Sequence, residues 1–112
     1  MAFDEELADR TRAVLGSARA GAAEKKMFGG LAFMVGGNMC CGIMGEDLLV
    51  RVGPAANDSA LADPNARPFD MGRGASAGFI LIGPGGTDTH ESLGTWVGRG
   101  LEFVATLPAK KK

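Results

Sequence analysis

Two adjacent thiols and a single imidazole are the side chains of this sequence best suited to nucleophilic or metal chemistry. Cys40 and Cys41 are its two cysteines, and His90 is its one histidine. A thiol nucleophile needs a base within hydrogen-bond reach, and one cysteine pair supplies at most two of the four ligands of a zinc site. Because neighbouring strand residues point to opposite faces, we interpret the cysteines as free structural thiols. We predict no metal site and no catalytic residue, and a Cys–His enzyme is the third of three hypotheses.

Three arginines form a second candidate set, because guanidinium groups bind carboxylates and phosphates through two parallel hydrogen bonds. Arg51 lies on a predicted strand, and Arg67 and Arg73 lie on the long connection that follows it. If they converge, they bind a small anion or an acidic partner surface. Local ion pairing is the alternative, with three aspartates of this region: Asp47, Asp63 and Asp70.

The segment Met27-Phe28-Gly29-Gly30 is a candidate recognition surface. Glycines expose backbone amide groups, and methionine side chains adapt to a partner. The alternative is a core strand from Met27 to Val35 with a bulge at Gly29-Gly30, entered from the charged residues 24–26.

A glycine-rich loop, Gly83 to Gly86, precedes the last predicted helix. It lacks the Lys-Ser/Thr pair of a phosphate-binding loop, and Asp88 and Glu91 place negative charge where a phosphate would lie. We therefore predict a structural loop and no cofactor.

Charge and composition exclude several functional classes. The 112 residues carry a net charge of −1 and are 46% hydrophobic, so there is no global field to attract nucleic acid or an anionic membrane. The acidic N-terminal segment is unlike a signal peptide, and no apolar run approaches the roughly 18 residues of a membrane span. We predict a single cytoplasmic domain over residues 1–112 with a loose tail at 108–112, either a monomer or a homodimer formed through a sheet edge or an apolar face.

The hydrophobic pattern predicts the elements that position these residues. In order they are a helix from Asp4 to Ser17, strands at 27–35, 38–44 and 47–52, a short helix at 55–62, strands at 68–71 and 77–82, and a long final helix. Residues 47–52 alternate, with Leu48, Val50 and Val52 on one face. The sequence predicts an α+β fold of two layers, an antiparallel sheet of about five strands covered by helices in the order α-β-β-β-α-β-β-α.

The final helix has the most pronounced amphipathic pattern in the chain. Asp88 is its predicted N-cap, with Glu91 completing a capping-box-like pair. Trp96 lies on the apolar stripe and is expected to face the sheet. Gly100 lies on the same stripe, with Gly94 and Gly98 beside it, and these glycines are expected to let the helix approach the strands closely.

Five stretches of the chain resemble a known family: residues 26–34, 37–39, 47–53 and 66–69, and the helix that carries Trp96. The first of them contains Lys26-Met27-Phe28-Gly29-Gly30 and continues to Met34. In this order they resemble the N-terminal domain of the TfoX/Sxy family of bacterial competence regulators. The resemblance implies a small domain similar to the secretion-chaperone fold, and the family supplies no established catalytic residues.

This resemblance also implies a function. We expect a non-enzymatic regulatory domain that binds proteins and acts in the transcriptional control of DNA uptake. The implied partner is the transcription machinery or the cyclic-AMP receptor protein, without direct contact to nucleic acid. The alternative hypothesis is a module that binds a small anionic ligand through Arg51, Arg67 and Arg73.

Overall fold

The computed structural model describes residues 4–19, 21–27, 30–70 and 75–107. The described residues form three α-helices: α1 (Glu5–Ser17), α2 (Asn57–Leu61) and α3 (His90–Val104). They form six strands: β1 (Ala23–Met27), β2 (Gly30–Val35), β3 (Asn38–Met44), β4 (Asp47–Arg51), β5 (Ala66–Asp70) and β6 (Ala75–Ile82). Short 3-10 turns precede α2 and α3 at Pro54–Ala56 and Pro84–Gly86. The predicted tail at 108–112 lies outside the described residues.

All six strands join one antiparallel sheet in the order β1-β2-β3-β4-β6-β5. The prediction of an α+β fold with an antiparallel sheet is confirmed. β2, β3 and β4 form the predicted meander, and β6 lies between β4 and β5 as its apolar sequence indicated. The sheet has one strand more than predicted, and the additional strand is β1.

The single bulged strand predicted from Met27 to Val35 is wrong. Met27 pairs with Gly30, so the chain reverses between them and β1 runs antiparallel to β2. Phe28 and Gly29, which lie between these partners, are outside the described residues. β1 contains the exposed residues 24–26, which the sequence predicts as a charged connection. Because β1 is an edge strand, its charged side chains remain in water while its backbone pairs with β2.

The structure places a bulge one strand further along, in β3. Phe33 pairs with Cys41 and Met34 pairs with Met39, which leaves Cys40 as the extra residue. A bulge of this kind changes the alternation of side chains at one point of a strand. The neighbouring cysteines therefore do not obey the simple alternation assumed in the sequence analysis.

Helices α1 and α3 cover one face of the sheet, with α3 crossing β3 and β4. Trp96 is 5% exposed, as the amphipathic pattern predicted. A Cβ on Gly100 would lie 2.7 Å from the backbone oxygen of Cys40, so this glycine permits the close approach of α3 to β3. Gly94 and Gly98 have no such role, because nothing lies within 4 Å of a Cβ placed at either position.

The N-cap of α3 is Thr89, one residue after the predicted Asp88. The Thr89 hydroxyl accepts a hydrogen bond from the backbone N–H of Ser92 at 3.0 Å. Thr89 has the extended backbone conformation typical of an N-cap. Asp88 is exposed and precedes the cap. The 3-10 turn at Pro84–Gly86 precedes Asp88.

Candidate interaction surface

The two thiols lie on the same side of the sheet, towards α3. The bulge at Cys40 brings its sulfur beneath Gly100, where a Cβ would be 3.1 Å from it, while Cys41 pairs with Val50 on the core face. Both are buried free cysteines. The Cys41 thiol donates a hydrogen bond to the Cys40 sulfur, which lowers the pKa of Cys40 against the opposing effect of burial. That hydrogen bond and burial raise the pKa of Cys41 well above its usual range.

The imidazole of His90 is not brought to these thiols. Cys40 packs against Gly100, and His90 precedes Gly100 by ten residues on α3, which is about 15 Å along a helix. His90 is exposed, whereas both thiols are buried. Within the described residues, no three side chains of the metal-binding types form a cluster. A Cys–His catalytic pair is therefore absent from the described part of the chain.

Two of the three candidate arginines have local partners. Arg67 forms an ion pair with Asp47, the neighbour named as the alternative in the sequence analysis. The guanidinium of Arg51 lies 5.3 Å from the ring centroids of both Phe79 and Phe103. Arg73 lies outside the described residues. A site for a small anion formed by all three arginines therefore stays a prediction.

The structure describes only the two ends of the candidate recognition segment Met27-Phe28-Gly29-Gly30. Phe28 and Gly29 lie outside the described residues, as does the side chain of Met27. Gly30 is buried, and a Cβ at this position would lie 2.2 Å from the backbone oxygen of Ile43. Only glycine fits between these strands at this point, so Gly30 has a packing role.

A depression of about 550 Å³ lies between the end of α1 and the first hairpin. Its wall includes Arg12, Arg19 and Glu24, and Phe33 forms part of its floor. Arg12 is bound to Glu24 at 2.6 Å and also to Asp9 at 2.5 Å. The hydrogen bond between Arg12 and Glu24 raises the pKa of the arginine and lowers that of the carboxyl. The charge of Arg12 is therefore already neutralised by ion pairs within the protein.

The strongest asymmetry in the molecule is between the two faces of the sheet. On the helix-covered face, the cross-strand row of Leu31, Ile43, Leu48 and Ile82 belongs to the main hydrophobic core. Leu93, Trp96 and Val97 of α3 belong to the same core. We call this side of the sheet the helix face.

The other face is also apolar, but its residues are separate from that core. We call it the open face, and its apolar residues are Ala32, Met34, Met39, Met44, Leu49, Phe69, Phe79 and Leu81. None of them belongs to the core cluster that contains the helix residues. Three of the eight are buried by their neighbours, and the other five are half-buried. The open face is thus a continuous apolar surface over β2, β3, β4 and β6, and it reaches β5 at Phe69.

The charged residues of the open face are mostly basic. Lys25 pairs with Ala32 and is exposed at the β1 side. Arg51 lies at the end of β4, where its guanidinium is over the rings of both Phe79 and Phe103 of α3. Arg67, on β5, is neutralised by Asp47. The described part of this face therefore carries an excess of positive charge, although the whole chain is slightly acidic.

The methionine cluster of the open face is not predicted by the sequence pattern. The sequence did contain a sign that the second face of the sheet is apolar. Residues 77–82 are apolar on both faces, which predicts a central or well-covered strand. Met34 and Met39 become neighbours through the register of β2 and β3, and Met44 follows on the same face. That register depends on the bulge at Cys40, which the sequence alone did not indicate.

The architecture defines the class of protein: a small α+β domain whose antiparallel sheet has helices on one face and an apolar surface on the other. The chain belongs to the TfoX N-terminal domain family, whose sequence profile matches residues 15–104, about four-fifths of its length. This confirms the resemblance identified from the sequence motifs. No curated protein and no solved structure gives a significant match. Within the described residues, no helix combines the length and apolar character needed to cross a bilayer.

Proposed function

We propose that this chain is a non-enzymatic regulatory domain that binds another protein in the transcriptional control of DNA uptake. Membership of the TfoX N-terminal domain family supports the regulatory setting. The open face supports the mode of action, because a contiguous apolar surface on a small domain is typical of a protein-binding site.

One observation carries the proposal. Five half-buried apolar residues lie together on a sheet whose other face is already filled by α1 and α3. Three of the five are methionines, whose flexible and polarisable side chains adapt to a partner surface. The thiols are buried and the imidazole is exposed, so these residues do not form a Cys–His catalytic pair.

The partner class follows from the family and from the charge. A protein of the transcription machinery, with the cyclic-AMP receptor protein as the first candidate, fits a competence-type regulator. Direct binding to nucleic acid is not expected, because the net charge of −1 gives no general attraction to phosphate backbones. The cytoplasm is the corresponding compartment.

The test is a reporter assay in a naturally competent bacterium that lacks its own family member. Expression of the wild-type chain should raise transcription of a DNA-uptake gene, and Met44→Glu should abolish the response. Thr95→Glu is the matched control, because Thr95 is exposed on α3, away from the open face. Circular dichroism and western blots establish that all three proteins fold and accumulate equally. An unchanged response with Met44→Glu would contradict the proposal, as would the absence of any response to the wild-type chain.

A further inference from the structure

We infer that the open face binds an acidic amphipathic helix, presented by the partner protein. This inference rests on the proposed function and specifies what its binding surface recognises. Three properties of the described residues lead to it: the protection of the sheet edges, the apolar character of the open face, and the sign of the charges around it.

Edge pairing is the first binding mode to be excluded. β1 is one edge strand, and it carries three consecutive charged residues at 24–26. β5 is the other edge strand, and it contains Arg67 and Pro68, the latter without a backbone N–H. Charged residues and proline on edge strands oppose the addition of a further strand. A partner must therefore approach a face of the sheet and not one of its edges.

A helix is the element that fits such a face. The same sheet already packs α1 and α3 on its helix face. On the open face, Met39 extends over Gly42, with its ε-methyl 3.3 Å from a Cβ placed there. Together with Met34 and Met44 it provides an adaptable floor into which the apolar stripe of a helix can pack.

The positive charges around the open face favour a helix that carries acidic residues. Lys25 lies on the edge strand β1, and Arg51 lies three strands away at the end of β4, with its guanidinium over Phe79 and Phe103. The Arg67–Asp47 pair is neutral. Carboxylates flanking the apolar stripe of a helix would complement this arrangement. A second copy of the chain is disfavoured, because two open faces would bring like charges together, and the exposed side of α1 lacks an apolar stripe.

The direct test uses a designed peptide as the probe. It is an amphipathic helix of about 18 residues, about 27 Å long, with a leucine stripe flanked by glutamates. The principal extents of the domain are 33, 28 and 26 Å, so a helix of this length spans the sheet. A second peptide has lysine in place of every glutamate. The readout is the NMR spectrum of protein labelled with ¹³C at the methionine methyl groups.

The signals of Met34, Met39 and Met44 should shift on addition of the glutamate peptide. The lysine peptide should bind at least about tenfold more weakly, because charge complementarity is reversed. Higher salt should weaken binding of the glutamate peptide. Equal affinity for both peptides, or shifts that leave these three methyl groups unchanged, would overturn the inference.

Two adjacent lysines supply a matched pair of variants. Lys25 and Lys26 are both exposed on β1, but Lys25 lies on the open face and Lys26 lies on the helix face. Lys25→Glu should lower affinity for the glutamate peptide about two- to fivefold, the range expected for one exposed charge pair. Lys26→Glu changes the net charge equally and should have a smaller effect. Equal losses in the two variants would indicate general charge attraction and contradict a defined face.

If the open face binds something other than an acidic helix, the binding experiments give different results. Binding to phosphatidylglycerol vesicles without binding to the glutamate peptide would assign the face to a membrane. Concentration-dependent methyl shifts without peptide, with a doubled mass in light scattering, would assign it to a second copy. Each result overturns the acidic-helix inference. If Met44→Glu still abolishes the reporter response while the glutamate peptide does not bind the wild-type chain, the proposed function stands and only the chemistry of the partner is wrong.

Discussion

The helix face and the open face are both apolar, yet they differ in the kind of residue they use. The helix face is built from branched aliphatic side chains such as Ile43, Leu48 and Ile82, all fully buried. The open face includes three methionines and Phe79, all of them half-buried. Branched side chains have few rotamers and fix one packing arrangement, whereas methionine tolerates several. The comparison indicates that one face specifies the fold and the other face remains adaptable.

The largest expected difference comes from two adjacent residues of β3. Ile43 is 0% exposed on the helix face, and Met44 is half-buried on the open face. Ile43→Ala should lower the free energy of unfolding by about 2–5 kcal/mol, because it removes packed methyl groups and leaves a cavity. Met44→Ala should cost about 1 kcal/mol or less, because much of its surface is already in contact with water. Urea denaturation followed by circular dichroism measures both values.

Met44→Ala also separates an effect on stability from an effect on binding. Met44→Ala should weaken binding of the glutamate peptide while lowering the free energy of unfolding by no more than about 1 kcal/mol. A loss of 2 kcal/mol or more in Met44→Ala, about the loss expected for a core residue, would mean that the open face belongs to the folding core. In that case the distinction between the two faces would fail.

Two glycines of α3 provide the next comparison. Gly100→Ala should destabilise the protein by about 1–3 kcal/mol, because its Cβ would lie 2.7 Å from the backbone oxygen of Cys40. Gly98→Ala should stabilise it by about 0.5–1 kcal/mol, because nothing lies within 4 Å of the new Cβ and alanine is the better helix former. Thermal and urea denaturation measure the two shifts.

Opposite signs in this pair would establish that α3 approaches β3 closely at Gly100 and not at Gly98. If both alanines stabilise the protein, α3 lies further from the sheet than the contact with Cys40 requires. If both destabilise it, Gly98 also faces a neighbour, and the open space around it is not present in solution.

Local sequence signals were sufficient to predict most of the fold. The alternation of residues 47–52 placed Leu48 and Val50 on one face, which is the helix face in the structure. The amphipathic pattern of α3 placed Trp96 against the sheet. β1 was missed because its charged residues have no apolar alternation, and its pairing with β2 supplies the stabilisation. A strand formed mainly through its neighbour leaves little signal in its own sequence.

The candidate surface was harder to predict for a related reason. Met34 and Met39 become neighbours only through a register that contains the bulge at Cys40. The partner of Arg67 is likewise decided by register, since Asp47 lies twenty residues earlier. Side-chain pairs across strands depend on which residues oppose each other, and a shift of one residue exchanges the two faces.

A smaller effect is expected from the two arginines that contact aromatic rings. Arg51 contacts Phe79 and Phe103, whereas Arg99 lies 4.8 Å from the centroid of the single ring system of Trp96. Arg51→Met keeps the apolar stem, removes the charge and should cost about 1 kcal/mol, and Arg99→Met should cost about half as much. Urea denaturation at fixed pH measures both. A larger loss for Arg99→Met would mean that the ring contacts of Arg51 do not contribute to stability.

The smallest effect should come from Arg67→Ala, which removes the ion pair with Asp47. The side chain of Arg67 is 56% exposed and that of Asp47 is 24% exposed, so water and salt screen their attraction. The loss should be about 0.2–1 kcal/mol and should decrease at high salt. Asp47→Asn removes the same pair and is the matched control, and the double variant should lose no more than either single change. A change in peptide or anion binding with Arg67→Ala, without a change with Asp47→Asn, would instead give Arg67 a direct role in recognition on the open face.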